Sequence, residues 1–161
     1  MRKTVLILLV WGIAWSASTI ASPTDSVLRA SRGHASFLFE NGRLTSPSGN
    51  YFLLMQTDGN LVLYRGECAG GPTPSCAVWQ TQTHREPGNY HLAMQDDGNL
   101  VVYRGRPPDD PSKAIWDSHT SGLGGEYFLS VQDDGNIVIY RGRGPADNRG
   151  AIWSSKTGLI K

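Results

Sequence analysis

The decapeptide "MQTDGNLVLY", Met55 to Tyr64, decides how this 161-residue chain folds. It alternates Met, Thr and Gly with Gln, Asp and Asn, then closes on apolar residues. The same pattern returns as "MQDDGNLVVY" from Met94 to Tyr103 and as "VQDDGNIVIY" from Val131 to Tyr140. A three-copy pattern in fixed register is a repeat, and repeats set architecture.

Other landmarks keep the same phase. Gln56, Gln95 and Gln132 are 39 and 37 residues apart, and Trp79, Trp116 and Trp153 are 37 and 37 apart. All six tyrosines form pairs 13 residues apart: Tyr51 and Tyr64, Tyr90 and Tyr103, Tyr127 and Tyr140. Each unit reads Gly-x-Tyr, the decapeptide, a variable Gly/Pro/Arg loop, and "AVW" or "AIW". Short apolar blocks bounded by Gly and Pro, with no sustained 3.6-residue period, predict strands. The expected fold is all-β, with three similar antiparallel sheets.

Asp-Gly marks a hairpin turn. A two-residue loop of Asp58 and Gly59 pairs Gln56 with Leu61 and mixes polar with apolar groups on both faces. A three-residue loop, Thr57-Asp58-Gly59 with Gly59 left-handed, pairs Gln56 with Asn60, Met55 with Leu61 and Leu53 with Leu63. That register separates the faces. One face collects Leu53, Met55, Leu61 and Leu63, then Leu92, Met94, Leu100 and Val102, then Leu129, Val131, Ile137 and Ile139. All twelve are apolar, so this face is expected to be buried. Three such faces around one axis, with the three tryptophans meeting at the centre, make a closed prism.

The other face carries Gln56, Asn60, Val62 and Tyr64, with Asp58 at the turn. Turn chemistry explains Asp58 and Asn60 but not Gln56, Val62 and Tyr64. The five residue types suit a neutral hexose. Amide and carboxylate oxygens accept from hydroxyls, amide N–H and phenolic O–H groups donate, and a small alkyl group lies against sugar C–H surface.

The motif Q-x-D-x-N-x-V-x-Y in three copies resembles the bulb-type mannose-binding lectin family of monocots, over about residues 26 to 158. The resemblance implies a β-prism II fold, in which the C-terminal strand is often exchanged in a homodimer. It also implies mannose or mannosylated glycans as partners. Asp58 and Asn60 would hold O2, Gln56 O3 and Tyr64 O4, with Val62 against the ring carbons. Gln95, Asp97, Asn99, Val101 and Tyr103, and Gln132, Asp134, Asn136, Val138 and Tyr140, would repeat these roles. The chain departs from the family in three ways: its cysteines lie in the loop after the first hairpin, its loops are longer, and those loops carry arginines. Those loops open with Arg65, Arg104 and Arg141, and two add Arg106 and Arg143. The arginines read either as solvated loop charges or as an extension of the site toward acidic or longer glycans.

The first 21 residues, with Arg2 and Lys3 ahead of an apolar run and a small polar end at Ala21, are laid out as a secretory signal peptide. The polar Ser16, Ser18 and Thr19 leave the run short of the ~20 apolar residues a membrane span needs. Cleavage leaves residues 22–161, with repeats over about 26–81, 82–118 and 119–158. It also removes two cations, taking the formal net charge from +1 to −1, which gives no general electrostatic case for nucleic acid or anionic lipid. In an exported chain, Cys68 and Cys76 are expected to form a local disulfide rather than a metal site, because no histidine lies near them in sequence.

"DDGN" lacks the further acids and terminal Glu of an EF-hand loop. Asp96-Asp97 and Asp133-Asp134 are chain neighbours whose side chains diverge, unlike the flanking pair of a glycosidase, and the first copy has Thr57 instead. No cofactor, metal or catalysis is expected. The surviving alternative is a toxin-like or protein-binding prism whose sugar sites are vestigial.

Overall fold

The computed structural model describes residues 25–66 and 73–158. The proposed leader and Cys68 lie outside the described residues. Among these residues twelve strands make three antiparallel sheets of four. The first sheet is β3 (Arg43–Thr45), β4 (Tyr51–Met55), β5 (Leu61–Arg65) and β6 (Ala77–Gln80). The second is β2 (Ser36–Phe39), β7 (Tyr90–Met94), β8 (Leu100–Arg104) and β9 (Ala114–Asp117). The third is β1 (Val27–Ala30), β10 (Tyr127–Val131), β11 (Ile137–Gly144) and β12 (Asp147–Ser154).

Only the first sheet is contiguous in sequence. The N-terminal segment gives β1 to the third sheet, beside β10, and β2 to the second, beside β7. These contacts fasten the sheets to one another. β12 pairs with β11 of the same chain.

The hairpins adopt the three-residue-loop register. Leu53 faces Leu63 and Met55 faces Leu61, with the same pairing at Leu92–Val102, Met94–Leu100, Leu129–Ile139 and Val131–Ile137. Gln56 N donates to Asn60 O at 3.0 Å and Gly59 N to Gln56 O at 3.2 Å. Gly59, Gly98 and Gly135 take φ of +84°, +89° and +80°, a region that glycine enters without strain.

All twelve predicted inner residues are at most 1% exposed and share one cluster. Burying each such side chain contributes about 1.5–3 kcal/mol. Trp79, Trp116 and Trp153 close the axis as a three-membered ring of edge-to-face contacts, with centroids 5.8, 5.9 and 6.1 Å apart and planes at 75–79°. They are half-buried and pack against the core.

The earlier tyrosine of each pair locks one sheet to the previous turn. A Cβ added at Gly59 would stand 2.7 Å from Tyr90 Cε1, at Gly98 2.8 Å from Tyr127 Cε1, and at Gly135 2.6 Å from Tyr51 Cε1. Turn glycine against the next repeat's tyrosine thus runs around the prism and returns to its start.

The described parts of the variable loops hold regular local structure. Pro74–Cys76 and Pro111–Lys113 are single 3-10 turns, started by proline, that lead into β6 and β9. The third loop is a continuation of the β11–β12 ribbon, with register shifts on either side of Gly142.

Candidate functional site

Each hairpin sets its polar motif at the turn end of an outer sheet face. Cross-strand pairing puts Leu54 opposite Val62 and Phe52 opposite Tyr64, just below Gln56 and Asn60. Phe52 and Tyr64 stack with centroids 5.3 Å apart, as do His91 and Tyr103 at 5.4 Å and Phe128 and Tyr140 at 5.2 Å. The outer face is therefore not simply solvated. Val62, Val101 and Val138 are 2–4% exposed, and Tyr64 and Tyr103 are 4–5% exposed. Phe52, Val62 and Tyr64 form their own cluster, covered in part by Cys76 and Ala77. Tyrosine is thus an apolar wall with a polar tip.

That tip is held. Gln56 Nε2 donates to Tyr64 Oη at 2.8 Å, Gln95 Nε2 to Tyr103 Oη at 3.0 Å, and Gln132 Nε2 to Tyr140 Oη at 2.7 Å. With a donor filling one side of the oxygen, the phenolic proton is left to point elsewhere. Burial pushes the Tyr64 and Tyr103 phenols above their ordinary value of 10.0; the glutamine bond pulls the other way, and nearby aspartates add to the rise. Both stay neutral donors at physiological pH.

The asparagines are fixed from behind. Asn60 Oδ1 accepts from Thr81 Oγ1 at 3.1 Å and Thr83 N at 3.2 Å. Asn99 Oδ1 accepts from Ser118 Oγ at 3.1 Å and Thr120 N at 3.2 Å, and Asn136 Oδ1 from Ser155 Oγ at 2.9 Å. A hydroxyl two residues on completes each set: Thr83, Thr120 and Thr157 Oγ1 donate to the carbonyls of Gly59, Gly98 and Gly135 at 2.6–2.7 Å. Asp58, Asp97 and Asp134 Oδ1 accept from the asparagine N–H at 2.8–3.0 Å, leaving Oδ2 for other donors.

With its oxygen engaged, each asparagine can offer only Nδ2. Asn99 and Asn136 find no acceptor for it among the described residues and are half-buried. Asn60 is 5% exposed, and its Nδ2 donates to Gln80 Oε1 at 2.8 Å. Gln80 faces Val62 across the strands, where the other sheets have Asp117 and Ser154.

The structure therefore gathers Gln, Asp, Asn, Val and Tyr of each copy into one patch. Sequence reasoning missed the backing groups, although "WQTQT", "WDSHT" and "WSSKT" spell W-x-[ST]-x-T three times. The middle residues, Gln82, His119 and Lys156, all take positive φ, between 55° and 59°. It also missed the stacking partners Phe52, His91 and Phe128, which follow once Leu53, Leu92 and Leu129 are placed inside. No group of three or more His, Cys, Asp or Glu that could hold a metal occurs among the described residues.

Three sheets about a tryptophan axis, each with an outward polar patch at its hairpin turn, define the β-prism II lectin scaffold. Among solved structures, a monomeric monocot mannose-binding lectin from Gastrodia elata is 35% identical, with 83% of this chain and 99% of that one aligned and a TM-score of 0.61. The mannose-specific agglutinin of snowdrop (Galanthus nivalis) bulbs, complexed with methyl-α-D-mannoside, is 32% identical, covering 84% and 100%, with a TM-score of 0.55. A Marasmius oreades lectin is 26% identical, covering 88% and 97%, with a TM-score of 0.59. No family model matches the sequence, and no curated protein does. The chain belongs to the bulb-type mannose-binding lectin family of monocots. It is a carbohydrate-binding lectin and not an enzyme.

Proposed function

We propose that the protein is an exported lectin that recognises mannose or mannose-containing glycans through up to three Q-x-D-x-N-x-V-x-Y sites. The observation that carries this reading is the geometry at Asn99 and Asn136. A side-chain amide anchored by its oxygen leaves Nδ2 unclaimed among the described residues, in a patch with a carboxylate and a tyrosine hydroxyl whose one partner among those residues is a donor. Adjacent sugar hydroxyls need that alternation of donor and acceptor. Asp and Asn would hold O2, Gln O3 and Tyr O4, with Val against the ring.

A shallow site of this kind binds weakly, since water competes for each hydroxyl. Several sites on one prism gain roughly 10²- to 10⁴-fold on a surface that displays many glycans. Removal of residues 1–21, a Cys68–Cys76 staple and a homodimer by exchange of β12 belong to the same proposal. The toxin-like or protein-binding alternative draws support from one site, where Gln80 already occupies Asn60. Among the described residues no helix is long and apolar enough to cross a membrane.

The test is calorimetric titration with methyl α-mannoside beside methyl α-galactoside. A response to mannoside alone is expected; equal or absent responses would favour the protein-binding reading.

A further inference from the structure

Where the turn of one repeat meets the base of the next, the prism has three equivalent corners. The corner between the first hairpin and the second sheet holds an open cleft of about 640 Å³, lined by Arg85, Arg104, Gly105, Ser112, Lys113 and Ile115. Arg85 N donates to Asp58 O at 2.7 Å, and Arg104 pairs across the strands with Tyr90, whose ring packs on Gly59. The cleft thus borders the turn that carries Asp58 and Asn60.

Its charge arises from side chains that differ between the corners. Thr57 stands where the other turns have Asp96 and Asp133. Arg85 stands where the next connection has Gly122, for Gly122 N makes the matching bond to Asp97 O at 2.8 Å. Asn89, before Tyr90, replaces Glu126, before Tyr127, and Lys113 replaces Cys76 at the end of the 3-10 turn. All four differences move the charge in the positive direction. Among the described residues, the corner between the third hairpin and the first sheet is lined by a single cation, Arg65, and includes Asp133, whose carboxylate accepts from Ser48 N at 2.8 Å. In the remaining corner, Glu126 is paired with Arg143 and Arg149.

The three cations are exposed and poorly neutralised. Lys113 Nζ lies 3.7 Å from Asp110 Oδ2, and no described carboxylate pairs with the side chain of Arg85 or Arg104. Two guanidinium groups and an ammonium around one concavity match the planar and point-charge ways of holding a phosphate, sulfate or carboxylate.

We propose that this cleft is an anion subsite beside the first sugar site, selecting mannose-containing glycans that carry an acidic substituent. The glycan class rests on the sugar-binding reading above; the anion site rests on the cleft itself. It gives the first hairpin a ligand preference that the other two lack.

The test titrates the full chain at low salt with mannotriose and with mannotriose bearing one phosphate monoester. The phosphorylated probe is expected to bind about tenfold more tightly, the sum of three exposed charge contacts. That advantage should vanish in about 0.5 M salt and in the Arg85→Gln, Arg104→Gln, Lys113→Gln variant, which keeps its affinity for neutral mannotriose. Equal binding of the two probes, or an advantage retained by the variant, overturns the proposal. Should neutral mannotriose not bind at all, the sugar-binding reading falls, and inorganic pyrophosphate then tests the cleft alone. Amide shifts confined to Gly105, Ser112 and their neighbours support the anion site; no shift there overturns it.

Discussion

Asn60 Nδ2 donates to Gln80 Oε1 at 2.8 Å, so the first site carries an internal competitor for the hydroxyl it would bind. Asp117 Oδ1, at the equivalent place in the second sheet, instead accepts from His119 N at 2.6 Å. Exchanging one hydrogen bond for another costs about 1 kcal/mol when the geometry is imperfect. Gln80→Ser, which copies Ser154, is expected to tighten methyl α-mannoside binding at the first site about fivefold. Side-chain amide spectra of Asn60 during titration are the readout, and an unchanged Asn60 response would count against unequal sites.

The phenols should govern behaviour in alkali. Because the Tyr64 and Tyr103 protons are held more tightly in the folded chain than at the ordinary value of 10.0, their contribution to stability is complete below pH 10. It is lost as pH rises through the raised folded values. Urea midpoints are expected to stay level up to about pH 10 and fall beyond it. Tyr103→Phe should keep the stack on His91, lose sugar affinity at the second site, and flatten part of that alkaline limb.

The glycine–tyrosine interlock makes a sharp stability prediction. Gly98→Ala places a methyl group 2.8 Å from Tyr127 Cε1 on a backbone with φ of +89°. The combined strain is expected to cost about 1–3 kcal/mol, visible as a lower urea midpoint. Ala at Gly66, where nothing among the described residues lies within 4 Å of the added carbon, meets only the backbone penalty and should cost less.

His91 departs from its counterparts Phe52 and Phe128, and the loop over the second sheet explains it. Buried at 1% exposure, its ring bonds to Gly105 O at 2.9 Å through Nδ1 and to Asp109 Oδ1 at 2.8 Å through Nε2. His91→Phe keeps an aromatic stack on Tyr103 and removes both bonds. Faster hydrogen exchange over 105–113, with the β7–β8 ribbon still protected, is the expected outcome. Unchanged loop exchange would mean that other contacts hold it.

The hairpin register was legible because only one loop length separates Leu53, Met55, Leu61 and Leu63 from Gln56 and Asn60. The tryptophan ring was legible because Trp79, Trp116 and Trp153 keep constant phase. The depth of the outer face was not. Val62 and Tyr64 read in sequence as part of the outer face with the polar motif, yet with Phe52 they form a buried cluster that Cys76 and Ala77 cover through long-range contacts. The anchoring hydroxyls of Thr81, Ser118 and Ser155 were spelled out in W-x-[ST]-x-T, but their purpose depends on reaching an asparagine about twenty residues back in the chain. The Arg85 corner required knowing which repeats meet. No local pattern contains that.

In the proposed sugar site an asparagine anchored through its oxygen presents Nδ2, with tyrosine and aspartate of the same patch, to sugar hydroxyls. Side-chain amide spectra during titration with methyl α-mannoside test it most directly. Saturable shifts of the Asn99, Asn136, Gln95 and Gln132 NH₂ groups are expected, absent with methyl α-galactoside. Binding of the mannoside with those four amide groups unmoved would contradict it.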